Sequence, residues 1–411
     1  MFTFAALEAL DRADPLAGLR ERFVLPDGVI YLDGNSLGPL PRATPARIAS
    51  VIGQEWGSGL IRSWNDAGWM DLPLALGERI AGLIGAPPGS VAVADSTSVN
   101  LFKLLGAALA LRPGRRTILS EQGNFPTDLY IAEGLAALHG AGHRLHSVAG
   151  SAIPAALDDD VAVLMLTHVN YRTGAMHDMA ALTRAAHAAG ALVLWDLAHS
   201  AGAVPLDLAG CDADLAVGCG YKFLNGGPGA PAFLYVAPRL HAGLRFPISG
   251  WLGHAAPFAF EPAFRAAAGI AGAIVGTPPI LSLAALAVGV ALMLEAPTAD
   301  VRAKSLALFD VFAELVAGQC DGLGLHLMTP ADPARRGSQI SFSHAQAYPV
   351  MQALIARGVI GDVRAPDVLR FGLTPLTLRY VDIWHAVAAL RAVLTSGAWQ
   401  APEYQRRPKV T

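Results

Sequence analysis

Lys222 stands in GCGYKFLNGGPG (218–229), after an apolar run and inside a glycine-rich turn, with no acidic neighbour beside it. Only four lysines occur in the chain, Lys103, Lys222, Lys304 and Lys409; the other basic positions are arginine. An amine can lose its proton and attack a carbonyl carbon, which a guanidinium cannot. Asp196 follows the apolar run ALVLW, with His199 three residues on, and Tyr221 directly precedes the lysine. Ser96, Thr97 and Ser98 follow VAVAD at the start of a helical pattern, Phe125 and Asp128 follow TILSEQGN, and Thr167 closes VAVLML. Together these types suit pyridoxal phosphate. Its aldehyde needs an amine, its ring nitrogen needs a carboxylate, its phosphate suits hydroxyls and a helix N-terminus, and its flat ring suits an aromatic neighbour.

Taken singly, each residue has an ordinary reading. Asp196 is a strand-end turn former, His199 a satisfied structural histidine, Ser96–Ser98 a helix cap and Phe125 a core residue. The combination is more specific: a strand-end aspartate followed by a strand-end lysine in a glycine-rich turn. The other lysines fail on placement, because Lys103 and Lys304 fall within helical patterns and Lys409 lies in the tail.

The elements that must carry these groups are legible as alternating patterns. From about 90 to 236, short runs rich in Val, Leu and Ile alternate with helical stretches. VAVAD, TILS, HRLHSV, VAVLMLTHV, ALVLWD, ADLAVG and APAFLYV read as strands. Runs apolar on both faces and joined by helices predict a mostly parallel sheet covered on both sides. Ligands of such sheets bind beyond the carboxyl ends of the strands, where every candidate above falls. From about 300, GLHLMT, SQISFS, VIGDV and VLRFGL alternate with helices in an order that predicts a smaller α+β domain. The expected organisation is an N-terminal segment over 1–50 packing with the small domain, a large cofactor-binding domain over 51–298 and the small domain over 299–411.

With 411 residues, 53% hydrophobic and 15% charged, the composition is that of a well-buried globular protein of about two domains. The formal net charge of −3 offers no attraction for nucleic acid or an anionic membrane. Cys211, Cys219 and Cys320 show neither CxxC nor metal-ligand spacing, which indicates a reducing compartment and no metal site. The apolar stretch over 266–297 is broken by Thr277-Pro278-Pro279 into pieces too short to span a membrane. A cytoplasmic protein is expected.

YLDGNSLGPLPR (31–42), NFPTDLY (124–130), DLAHSAG (196–202), GYKFLNGGPG (220–229) and GVIGDVRAPDVLRFGLTPL (358–376) together resemble kynureninase, over nearly the whole chain. The resemblance implies a fold type I pyridoxal-phosphate enzyme that cleaves L-kynurenine to anthranilate and L-alanine, in tryptophan catabolism and the kynurenine pathway that leads to NAD. It also implies action on 3-hydroxykynurenine as a less preferred substrate and a homodimer with active sites at the interface. It makes Lys222 the Schiff-base lysine and base, Asp196 the ring-nitrogen partner, His199 a neighbour against the cofactor and Tyr221 the proton donor. Phe125 corresponds to the stacking aromatic and Asp128 to a cofactor-contacting acid. Thr97, Ser98, Thr167, Trp251 and Thr277 complete the cradle, Trp251 and Thr277 serving the neighbouring subunit's site. Arg370 corresponds to the arginine that forks onto the substrate α-carboxylate, with Asn35, Ser36, Trp64 and Gly276 on the substrate side. Trp64 with Gly276 resembles the bacterial form that favours unsubstituted kynurenine.

Three alternatives make different demands. One is a cysteine desulfurase or a related lyase or aminotransferase on the same fold; the desulfurases work through a catalytic cysteine on a late loop, and 321–411 contains no cysteine. A nicotinamide-dependent dehydrogenase needs a glycine-rich turn after its first strand, where this chain reads DSTS. A non-catalytic relative needs loss of the lysine or the aspartate, and both are present.

Overall fold

The computed structural model describes residues 2–140 and 142–407, so Lys409 lies outside the described residues. Thirteen strands run in chain order. They are β1 (Ile30–Tyr31), β2 (Val91–Val93), β3 (Thr117–Glu121), β4 (Arg144–Val148), β5 (Val161–Thr167), β6 (Leu192–Asp196) and β7 (Leu215–Gly218). The rest are β8 (Phe233–Val236), β9 (His326–Leu327), β10 (Gln339–Ser343), β11 (Val359–Ile360), β12 (Asp362–Arg364) and β13 (Val368–Gly372).

Seven of them form one sheet in the order β2-β8-β7-β6-β5-β3-β4. β8 runs antiparallel to both its neighbours, and the other ladders are parallel. The reason is the connection. Parallel neighbours need a crossover, generally a helix, whereas β7 passes to β8 through the Lys222 loop, which contains none. Every residue of β5 and β6 is buried, as a sheet covered on both faces requires. Val163 and Met165 pack into the core with the helices Thr97–Leu111 and Pro126–His139, while Leu164 and Leu166 face the opposite core with Leu72–Ile84 and Ile280–Glu295. This alternation is the period of two that a strand imposes.

Local signals set the helix limits. The Asp178 carboxylate accepts from the Ala181 N–H at 2.8 Å, capping Met179–Ala188. Gly190, at φ +78°, then turns the chain towards β6. The apolar stretch over 266–297 resolves into a short turn, Gly269–Ala273, and the helix Ile280–Glu295, with the prolines between them. No single helix among the described residues is long and apolar enough to cross a membrane; the pair Ile280–Glu295 and Thr298–Gln319 is bent by 85°. Ile280–Glu295 lies beneath the Lys222 loop, and a Cβ on Gly289 would come within 2.8 Å of the Asn225 backbone.

A four-stranded antiparallel sheet, β12-β13-β10-β9, packs with Thr298–Gln319, Ala347–Ile355 and Tyr380–Ser396 around Phe312, Phe342 and Phe371. The N-terminal segment is tied to this unit. β1 pairs in parallel with β11, Leu7 joins the same core and Lys304 pairs with Asp14 at 2.6 Å. The segment also reaches the large sheet, where Leu16 and Phe23 enter the core beneath it and the Gly38 N–H donates to the Tyr221 carbonyl at 2.8 Å.

Candidate active site

The strand order sets the site. Thr167 and Asp196 end β5 and β6 and are register partners, and β3, the next strand out, leads through a short loop to Phe125 and to Asp128 in the first turn of the helix Pro126–His139. A cavity of about 320 Å³ opens there, within the usual range for ligand pockets. Its lining includes Thr97, Ser98, Phe125, Asp128, Thr167, Asp196, His199, Tyr221 and Lys222. These side chains, scattered over 126 positions, surround one space.

Lys222 Nζ lies 3.0 Å from His199 Nε2. His199 is held neutral: burial pushes its pKa well down, and the charges of Lys222, Arg370 and Arg364 add to the effect. Its Nδ1 is enclosed and has no hydrogen-bond partner. On the cavity floor the Asp128 and Asp196 carboxyls, 1% and 3% exposed, hydrogen-bond to each other. Such a bond requires one of the two to carry a proton. Burial first, then the charge of Asp196, raises the Asp128 pKa well above the ordinary carboxylate range. Asp196 is also raised by burial, against the Lys222 charge and an N–H from Ala198 at 2.8 Å. The Thr167 hydroxyl donates to Asn124 and lies 3.3 Å from Asp128.

At the other end of the cavity, Ser96 caps Thr97–Leu111, its hydroxyl accepting from the Val99 N–H at 3.3 Å. That helix terminus presents its free N–H groups with the hydroxyls of Thr97 and Ser98. Phe125 is not a core residue. It is 39% exposed at the cavity edge and stands edge-on to Tyr171, with ring centroids 5.2 Å apart. Burial pushes the Tyr221 phenol up to about 12, so it keeps its proton at neutral pH.

The residues present fit pyridoxal phosphate. An amine without a carboxylate partner, a buried acid pair, an open helix N-terminus flanked by hydroxyls and an unpartnered ring nitrogen on His199 face one cavity.

Other predicted residues lie elsewhere. Trp64 packs edge-on to Trp69, with centroids 5.6 Å apart, away from this cavity. Trp251 is 40% exposed and packs on Phe258, while Thr277 is exposed in the loop before Ile280. Gly276 adjoins Thr277 and has open space around it. Asn35 is buried, with its Oδ1 unpartnered. Arg370 is 1% exposed, and its planar fork, expected to face a substrate carboxylate, rests on Asp362. Its other donors reach the Tyr171 carbonyl at 2.8 Å and the Ser36 hydroxyl at 2.7 Å. Sequence reasoning did not single out Asn124, Tyr171 or Asp362. Asn124 and Asp362 lie within the motif stretches, which was a usable signal; Tyr171 had none.

The fold and the cavity together define a fold type I pyridoxal-phosphate enzyme. Over 90% of the chain it superposes on a C-DES variant with glycine covalently linked to its pyridoxal phosphate, covering 98% of that chain, with a TM-score of 0.78 and 20% identity. The cysteine desulfurase of Thermococcus onnurineus gives 0.77 and 17% identity over 92% of this chain and 98% of its own. These likenesses speak for the fold. Residues 301–390 match the kynureninase C-terminal domain family. The kynureninase of Burkholderia pseudomallei (strain K96243) is 57% identical over 408 residues, and that of Pseudomonas fluorescens 53%, each spanning 98% of both chains. The chain belongs to the kynureninase family.

Proposed function

We propose that the cavity hydrolyses the Cβ–Cγ bond of L-kynurenine, giving anthranilate and L-alanine. The observation that carries this reading is the convergence of Lys222, His199, Asp128 and Asp196 on one cavity, in a chain so similar to named kynureninases along its whole length. Pyridoxal phosphate, when bound, supplies an aldehyde for imine formation and a cationic ring that takes up the electron pair released at the substrate α-carbon. Lys222 would hold the cofactor through its aldehyde carbon and would serve as the base that moves the substrate α-proton. Asp196, hydrogen-bonded to Asp128, would hold the ring nitrogen and stabilise its positive charge. Thr97, Ser98 and the helix N-terminus would hold the phosphate, and Thr167 and Phe125 would hold the ring. Water adds to the aryl ketone carbon, so its oxygen leaves in the carboxyl group of anthranilate. Tyr221, protonated at neutral pH, gives its proton to Cβ. Arg370 and Ser36 read the substrate α-carboxylate.

Trp251 and Thr277 serve the site of a second copy in a homodimer. Supporting this is an exposed aromatic cluster of Trp251, Phe258 and Phe260, with Trp56, Ile61 and Phe264 also exposed, which a lone subunit would leave in water. Across the same interface Trp64 and Gly276 favour unsubstituted kynurenine over its 3-hydroxy form, and Asn35 lines the approach. The enzyme works in the cytoplasm. Lys222→Ala tests the assignment: the protein should show no imine absorbance when mixed with pyridoxal phosphate and should form no anthranilate. A wild-type spectrum in this variant refutes it.

A further inference from the structure

Arg370 does not stand alone. Asp362 accepts from its Nε at 2.7 Å and also from Arg364 Nη2 at 2.5 Å. The Ser36 hydroxyl donates to Asp362 at 2.8 Å and accepts from Arg370 at 2.7 Å. Arg364 keeps its Nε enclosed and without a partner. Asp33, three residues before Ser36, is the fourth charged group here. Its Oδ1 is enclosed and unpartnered, and its carboxyl meets the Ser36 hydroxyl. The cluster borders the cavity. Arg370 donates to the carbonyl of cavity-lining Tyr171, and the N–H of Gly38, two residues beyond Ser36, donates to the Tyr221 carbonyl.

The charges count simply. Arg364 and Arg370 against Asp362 leave one net positive charge, and an ionised Asp33 cancels it. We propose that Asp33 is a positioning residue for substrate recognition, setting by its protonation the net charge that the Asp362–Arg364–Arg370 cluster presents to the substrate carboxylate. This rests on the reading of Arg370 as a carboxylate-binding residue.

Every group facing Asp33 bears on its proton. Burial and then Asp362 push its pKa up to about 7, while Ser36, Arg370 and Arg364 pull it down. Tyr31, on β1 beside it, has its ionisation pushed further up by burial and by Asp33 and Asp362, so it stays neutral and adds no charge. Asp33 therefore changes charge across neutral pH. Below that range the cluster is cationic and attracts a carboxylate; above it the attraction is lost. By linkage, a bound carboxylate holds the Asp33 proton more tightly.

The test compares KM and kcat for L-kynurenine from about pH 6 to 8.5 in pyridoxal-phosphate-loaded wild-type, Asp33→Asn and Asp33→Glu proteins. Taking the wild-type value over that of Asp33→Asn cancels the titration of the substrate itself. This KM ratio should climb by about tenfold as pH rises, the scale of one unit charge acting across a part-buried site, while the kcat ratio keeps one value. Asp33→Glu should restore part of the climb. Should Asp33→Asn fail to fold, Asp33→Ser takes its place. A KM ratio that stays level with pH overturns the proposal. Arg370→Gln, measured alongside, should raise KM by roughly tenfold or more. If it does not and the Asp33 ratio still climbs, Asp33 acts through Arg364, and only the Arg370 reading falls.

Discussion

Replacing Asp128 with asparagine probes the buried acid pair while keeping its shape. The amide oxygen can still accept from Thr167, and the amide nitrogen can donate to Asp196, so no new unpaired group is created. What changes is the proton. In the folded apoprotein the Asp128 pKa lies well above its unfolded value. A carboxyl raised on folding adds nothing below its unfolded pKa and lowers stability as pH climbs towards its folded pKa. By linkage, each pH unit climbed between the unfolded and folded pKa values costs up to ~1.4 kcal/mol, so at pH 8 the wild-type apoprotein should be less stable than Asp128→Asn. With an unfolding entropy of ~2.1 cal/mol/K per residue over 411 residues, each kcal/mol of that difference raises the Tm of the variant above wild type by ~1 °C. The gap should close towards pH 4. Cofactor affinity should change little near neutral pH, because the pair, sharing one proton, presents a single negative charge in both proteins. Scanning fluorimetry of both apoproteins across pH, with a pyridoxal-phosphate titration of each, measures both effects. A variant less stable than wild type at pH 8, or a gap that does not vary with pH, refutes the shared-proton argument.

Tyr221→Phe should bind the cofactor with a normal imine spectrum yet lose most of kcat, since general-acid steps contribute ~10²–10⁴-fold; unchanged turnover would point to another acid. Gly38→Ala should weaken both activity and stability. Its Cβ would come within 2.9 Å of Asn225 Cα and crowd the Lys222 carbonyl, so the N-terminal segment must lift from the lysine loop. Thermal unfolding and kcat/KM read the change, and wild-type values for both would show that the two segments do not depend on each other.

The positions that sequence could disclose are those that a strand end announces. Asp196 and Thr167 close runs whose residues are all buried, and Lys222 follows another such run. Their convergence follows from the rule that parallel strands present their carboxyl ends to ligands. What stayed hidden depends on sheet order. Nothing in the chain says that β3 lies beside β5, so the meeting of Asp128 with Asp196 across Thr167 was not readable. Phe125 reads as a core residue by type, yet its place ahead of Pro126–His139 leaves it at the cavity edge. Arg370 could be singled out in VLRFGL, but its partner Asp362 follows from the register of the β12–β13 hairpin, which sets the two residues directly opposite each other. Asp33 reaches the same cluster because the N-terminal segment threads back beside β11. Trp64, Trp251, Gly276 and Thr277 are not among the residues that line the cavity.

The central claim is that Lys222 forms the imine through which L-kynurenine is cleaved. Its most direct measurement mixes pyridoxal-phosphate-loaded protein with L-kynurenine and follows anthranilate fluorescence, with L-alanine assayed in the same samples. The account predicts anthranilate and L-alanine in equal amounts over many turnovers. Protein that shows imine absorbance but yields no anthranilate would contradict it.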